Sequence, residues 1–230
     1  MNARESGIPA STDWLARLAH DLRGPLTPMR MAVSMLQSDG VSTQRVQELA
    51  RAIDRQIGQL AQLADELNDV LSISRGNFRL QLAQYDLGTI IGNAVDHVSR
   101  QGSNAGTETR PLEIHAPAEP VLVRADEVRL TQLIAQLLGD LRPAAAGDSE
   151  RWIQYQRDGD RAIVRLRDST RSNRRNAGLD YVATGSHSME PDKLGMLPII
   201  GREIAIAHGA VISVGDGSGD VVLTLPLAIA

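Results

Sequence analysis

Between Ser42 and Ser74 the chain carries Val46, Leu49, Ile53, Ile57, Leu60, Leu63, Leu67 and Val70, close to alternating spacings of three and four. A seam of this kind specifies a partner helix and not merely a core. A second stripe precedes it: Leu15, Leu18, Leu22, Leu26, Met29, Val33 and Leu36 recur at helical spacing. Ser11 or Thr12 can cap that first helix, which runs to about Gln37, and Ser38-Asp39-Gly40 stops it. At 1.5 Å per residue the two helices would be roughly 40 and 50 Å long, far beyond the average globular helix. Joined by a short turn they make a hairpin with exposed apolar surface. Pairing two hairpins into a four-helix bundle covers that surface, so a homodimer is expected.

The first helix carries one residue that its stripe does not absorb. With Leu15, Leu18, Leu22 and Met29 at heptad positions a, d, a and a, His20 falls at f and Asp21 at g. The imidazole therefore faces water, where a structural histidine would sit on the other face. An acid stands beside it, and Pro25 and Pro28 are expected to bend the helix just after it.

Beyond Arg75-Gly76-Asn77 the period changes, which puts a helical hairpin at residues 1–76 and a second domain at 77–230. Asp86 begins a helix to about Gln101, and a polar loop follows at Gly102 to Arg110. Strand candidates come at Leu112 to His115 and Val121 to Arg124. Asp126 opens a helix over Val128 to Leu141, ended by Pro143. Trp152 to Gln156 and Ala162 to Arg167 are strands about the Asp158-Gly159-Asp160 turn. Ser169 to Asp192 has no sustained period and is expected to be a mobile loop. A last helix, about Pro198 to His208, precedes strands Val211 to Val214 and Val221 to Leu225. This order fits an α+β fold with helices and a mainly antiparallel sheet in two layers, not a parallel doubly wound sheet.

Composition closes off several functions. The net charge is −4 and aromatic residues are only 3%, so no basic field or aromatic platform recruits nucleic acid. The chain has no cysteine, which excludes disulfides, thiolate metal sites and a cysteine nucleophile. His97, His115, His187 and His208 lack metal-ligand spacing. No run approaches the roughly 20 apolar residues of a membrane span, and the expected location is the cytoplasm. Arg171, Arg174 and Arg175 are a solvated charge run or a site for phosphate or an acidic surface.

Leu18-Ala19-His20-Asp21-Leu22-Arg23-Gly24-Pro25-Leu26 resembles the H-box of bacterial two-component histidine kinases. Arg124 to Leu133 is similar to the lead-in to that family's asparagine-rich ATP motif. Ile204 to Ile212 and the closing Leu223-Thr224-Leu225-Pro226 are similar to its last helix and strand. The resemblance implies a dimerisation and phosphotransfer hairpin followed by an ATP-binding-type α/β sandwich. It makes His20 the phosphoryl acceptor and Asp21 its orienting base, with the bend at Pro25 giving the donor room. Phosphoryl transfer to histidine needs such an accessible imidazole nitrogen beside an acid. Where family members that dephosphorylate their partner place a Thr or Asn, four residues after the histidine, this chain has Gly24.

The ATP elements depart from the family's pattern. Its two asparagines, one helical turn apart, are replaced by Gln136 and Asp140. Asp140 would be the magnesium ligand if ATP binds, but it adds a negative charge where a triphosphate must sit. Asp168 keeps the adenine-binding aspartate, while Thr170 and Ser172 replace both following glycines. The later glycine-rich segment is reduced to Leu194-Gly195-Met196-Leu197-Pro198, and Pro198 removes an amide donor. Gln136, Asp140, Asp168 and Gly195 thus outline a degenerate ATP site, and no cofactor is expected. The leading expectation is a dimeric phosphotransfer protein whose partners are response-regulator receiver domains. The alternatives are a divergent kinase that autophosphorylates His20 and a non-catalytic dimeric scaffold.

Overall fold

The computed structural model describes residues 12–38, 40–104, 112–140, 151–168, 177–184, 196–214 and 220–228. They fall into a helical hairpin, up to Phe78, and an α/β unit from Arg79 onward.

The hairpin pairs α1 (Thr12–Leu36) with α2 (Thr43–Ser74). The turn between them uses Gly40 at φ 80°, a left-handed conformation that costs glycine little. Ser42 then caps α2, its hydroxyl accepting the Arg45 N–H at 3.3 Å and so satisfying a helix-start donor. At the far end Gly76 takes φ 66°, and the Asn77 N–H closes back on the Ser72 carbonyl at 2.8 Å. Pro25 and Pro28 both lie inside the continuous α1. Pro25, Ala32, Leu49 and Val70 are buried within the hairpin, whereas Met31, Val33, Met35, Val46 and Ile57 are exposed.

Among its described residues the α/β unit contains two sheets. In the smaller, β1 (Ala83–Asp86) runs antiparallel to β3 (Leu122–Ala125). The larger has the order β2-β4-β5-β7-β6, formed by β2 (Glu113–His115), β4 (Arg151–Asp158), β5 (Arg161–Asp168), β6 (Val211–Val214) and β7 (Val221–Pro226). Only β2 against β4 is parallel; the other pairings of this sheet are antiparallel. Burial alternates along the strands: Ala162, Val164 and Leu166 of β5 and Val221, Leu223 and Leu225 of β7 are buried on one face. That is the pattern of a sheet with a single face on the core.

Among the described residues the helices of this unit are α3 (Leu87–Asn104), α4 (Glu127–Asp140), α5 (Ala177–Thr184) and α6 (Met196–Ala207). Ile90, Ile91 and Ala94 of α3 and Leu130, Leu133, Ile134 and Leu137 of α4 are buried, each at helical spacing. Burying one such aliphatic side chain is worth about 1.5–3 kcal/mol. The Gly159 turn at φ 60° joins β4 to β5 where Asp158-Gly159-Asp160 marks it.

Three features differ from the sequence expectations. The stretch from Ser169 to Asp192, expected as a mobile loop, contains α5, with Leu179 and Val182 buried. Two apolar residues one turn apart leave no sustained period to read, and the burial comes from tertiary packing. The other addition, β1, has the burial pattern exposed, exposed, half-buried, half-buried, so its alternation was invisible. The proposed Gly102 to Arg110 loop is helical to Asn104, and its remainder lies outside the described residues.

Candidate functional site

His20 sits in the middle of α1 with its side chain 86% exposed, and its Nδ1 lies 3.3 Å from Oδ1 of Asp21. An Nδ1–H that donates to this carboxylate leaves the Nε2 lone pair free toward solvent. Four residues on, Gly24 and Pro25 share the faces of His20 and Asp21. Pro25 has no N–H to offer the carbonyl of Asp21, one turn back. Around Gly24 a Cβ would meet nothing within 4 Å, so packing does not demand glycine there and the space beside the imidazole is open.

A cleft of about 330 Å³ opens at this place between the two helices of the hairpin. Its walls are His20, Asp21, Gly24 and Pro25 from α1 and Gln59, Gln62, Leu63 and Glu66 from α2. Glu66 is only 6% exposed, and its Oε1 accepts a hydrogen bond from Gln62 Nε2 at 2.9 Å. Burial pushes the Glu66 carboxyl above its ordinary value of 4.5, and the carboxylates of Asp69 and Asp21 push the same way against the Gln62 hydrogen bond. The α2 members of this cleft were not among the expected site residues. Glu66 had a signal: it lies three residues after Leu63 and four before Val70, a carboxyl on the apolar stripe.

In the α/β unit, Gln136 is half-buried on α4. Its carboxamide packs so closely on Gly201 of α6 that a Cβ there would collide with it. The Gln136 Nε2 is buried without a hydrogen-bond partner. The side chains of Asp140 and Asp168, and Thr170, Ser172 and Gly195 entirely, lie outside the described residues. Pro198 falls in the first turn of α6, where backbone amides are otherwise free for an anion.

The start of α4 is fixed by a network around the buried His208. His208 Nε2 accepts the backbone N–H of Asp126 at 3.0 Å, and its Nδ1–H donates to the Ile204 carbonyl at 2.8 Å. Asp126 accepts the Arg129 N–H at 3.1 Å and the Gln81 N–H at 2.9 Å. Burial lowers the pKa of His208 below 6.5, although the bonds to Ile204 and Asp126 oppose the shift. Among the described residues no group of three or more His, Cys, Asp or Glu is placed to hold a metal ion.

Comparison with known proteins gives this geometry its context. The model of the His Kinase A (phospho-acceptor) domain matches residues 10–76, a span that includes His20 and both helices of the hairpin. Over 154 residues the chain is 30% identical to the sensor histidine kinase MtrB of Mycobacterium tuberculosis, covering 66% of this chain and 26% of that protein. Residues 10–76 form a His Kinase A (phospho-acceptor) domain, and the chain is similar to the catalytic region of two-component histidine kinases. The likeness of fold extends beyond the hairpin. The Acinetobacter baumannii histidine kinase AdeS superposes with a TM-score of 0.58 at 16% identity, over 91% of this chain and 97% of that one. The histidine kinase ThkA, solved in complex with the response regulator protein TrrA, gives 0.56 at 16% identity over 94% and 62%. The chain spans about a quarter of the length of the curated histidine kinase it matches. No helix among the described residues is long and apolar enough to cross a membrane.

Proposed function

We propose that this histidine kinase relative works as a homodimeric phosphotransfer protein, in which His20 accepts a phosphoryl group from one response-regulator receiver domain and passes it to another. The observation that carries the reading is the exposed imidazole held at Nδ1 by Asp21, 3.3 Å away, at the rim of an open cleft. Asp21 accepts the Nδ1–H and fixes the tautomer. The Nε2 lone pair attacks phosphorus in line, and the donor oxygen leaves with its bonding pair. The Nδ1 proton stays on the Asp21 hydrogen bond, which stabilises the imidazolium as it forms. Onward transfer reverses these steps. The pairing of ThkA with TrrA in a solved complex supports receiver domains as the partners.

The α/β unit is assigned a docking role rather than nucleotide binding. Two of its positions weigh against a triphosphate: Gln136 stands where the family has an asparagine and packs its carboxamide on Gly201, and Pro198 removes one of the free amides at the start of α6. These residues do not fit the nucleotide, and no step is routed through ATP or magnesium.

Incubation with labelled ATP and magnesium, together with calorimetric titration of the nucleotide, tests this division. The expected result is no heat of binding and no label. Acid-labile, base-stable label that disappears in His20→Ala would replace the relay with an autokinase. If neither ATP nor any phosphorylated receiver labels the chain, a non-catalytic scaffold is the better reading.

A further inference from the structure

Glu66 is the one member of the His20 cleft whose presence neither packing nor the phosphotransfer step explains. A carboxylate removed from water is costly unless a cation or several donors compensate it. None of the residues lining the cleft is Lys or Arg, and Glu66 receives one hydrogen bond, from Gln62 at 2.9 Å. The acidic groups around it come from both helices: Asp21 from α1 and Asp69 from α2. His20, also from α1, is the other titratable group on the cleft wall.

A phosphoryl group on His20 would bring up to two negative charges to this cleft. There it would face the carboxyls of Asp21 and Glu66, with only the carboxamides of Gln59 and Gln62 as side-chain donors from α2. We propose that Glu66 is a positioning residue for phosphoryl transfer: protonated, it lets the phosphoryl group rest on His20, and ionised, it drives that group off. The inference rests on His20 being the phosphoacceptor. Linkage makes the effect reciprocal, since phosphorylation that favours proton uptake by Glu66 must itself be favoured by that proton.

In the departing step the N–P bond breaks and imidazole keeps the electron pair. The acceptor oxygen, from a receiver or from water, forms the new P–O bond, and Glu66 releases its proton to solvent. In a loose transition state the phosphoryl charge moves away from the cleft, so the repulsion felt in the ground state is relieved there. An ionised Glu66 therefore speeds departure.

The test uses the full chain and phosphoramidate as donor. Phosphoramidate reacts with its nitrogen protonated: the P–N bond breaks and ammonia leaves as the N–P bond to Nε2 forms, and the Nδ1 proton stays on the Asp21 hydrogen bond. The lifetime of phospho-His20 is then followed from below the ordinary glutamate value of 4.5 up to about pH 8 in the unaltered protein and in Glu66→Gln. The ratio of the two lifetimes cancels the imidazole's own titration, common to both. The expected ratio favours Glu66→Gln by roughly three- to tenfold at the alkaline end, a tenfold change being one pKa unit of coupling, and falls toward one at the acid end. Gln62→Ala, which removes the bond favouring the ionised carboxyl, should move the pH response to higher pH. A ratio that stays at one, or that does not change with pH, overturns the role of Glu66 alone. Failure of phosphoramidate to place any label on His20, with His20→Ala as the blank, overturns the phosphoacceptor reading and this inference with it.

Discussion

The carboxamide of Gln136 fills the volume that a side chain at Gly201 would need, so α4 and α6 meet through an amide laid on a glycine. The contact is a fixed feature of the α/β core, and it is bought with a buried Nε2 that has no hydrogen-bond partner. Leaving such a group unsatisfied costs about 1–3 kcal/mol.

Gly201→Ala should therefore destabilise the α/β unit by up to about 1 kcal/mol, the low end of the overpacking range, because the clash falls on the far end of the flexible Gln136 side chain. Adding Gln136→Ala removes the collision, and the double variant should be more stable than the sum of the two single changes. Urea denaturation followed at Trp152, in a Trp14→Phe background, measures the coupling. Strict additivity would show that the two residues do not meet.

His208 supplies a pH dependence with a definite sign. Its pKa in the fold lies below the ordinary 6.5, so between these values the unfolded chain binds more protons than the folded one. The stability it contributes is complete above 6.5 and declines as pH falls toward the folded value. His208→Ala should lose about 1–3 kcal/mol at neutral pH, because the Asp126 N–H is left unpaired, and its stability should vary less over the same acidic range. Denaturation midpoints at a series of pH values decide the matter.

Glu66 works in the opposite direction. Its folded pKa is raised above 4.5, so the fold carries a penalty when the group is ionised, and that penalty fades as pH falls through the folded value toward 4.5. Glu66→Gln should raise the hairpin's helical melting temperature at alkaline pH and match the unaltered protein below 4.5. An equal gain at every pH would point to packing alone.

Arg167 offers a test on the sheet. Its Nε and Nη2 donate to the two carboxylate oxygens of Asp220 at 2.7 and 2.9 Å, and its guanidinium lies 5.2 Å from the centre of the Trp152 ring. His115 stacks on the other flank of this tryptophan at 5.9 Å. Arg167→Lys cannot reproduce the fork or the planar stacking and should cost about 1 kcal/mol, close to Arg167→Ala. Full rescue by lysine, read from denaturation midpoints, would contradict a role for the bidentate geometry.

The residues differ in how openly the sequence displays them. The hairpin is legible because its period runs through α1 and α2, and that same period places His20 on the water side. The strands around Gly159 are marked by their turn and by clean alternation in β5. Gln136 is different: its replacement of an asparagine is visible, but its contact with Gly201, 65 positions later in the numbering, is not. Glu66 stood on the stripe in plain view, yet a charged residue on a seam has no meaning until the facing helix shows His20 and Asp21 at the same cleft. Local chemistry is written in spacing, whereas a cleft between helices depends on register and tilt that spacing leaves open.

Phosphoryl transfer from a labelled receiver domain to this chain tests the central claim most directly. The account predicts acid-labile, base-stable label on His20, absent from His20→Ala and reduced in Asp21→Ala by roughly 10²–10⁴-fold in rate, the usual contribution of a positioned acid-base group. Label that persists in His20→Ala, or no label from any receiver of the same cell, would contradict it.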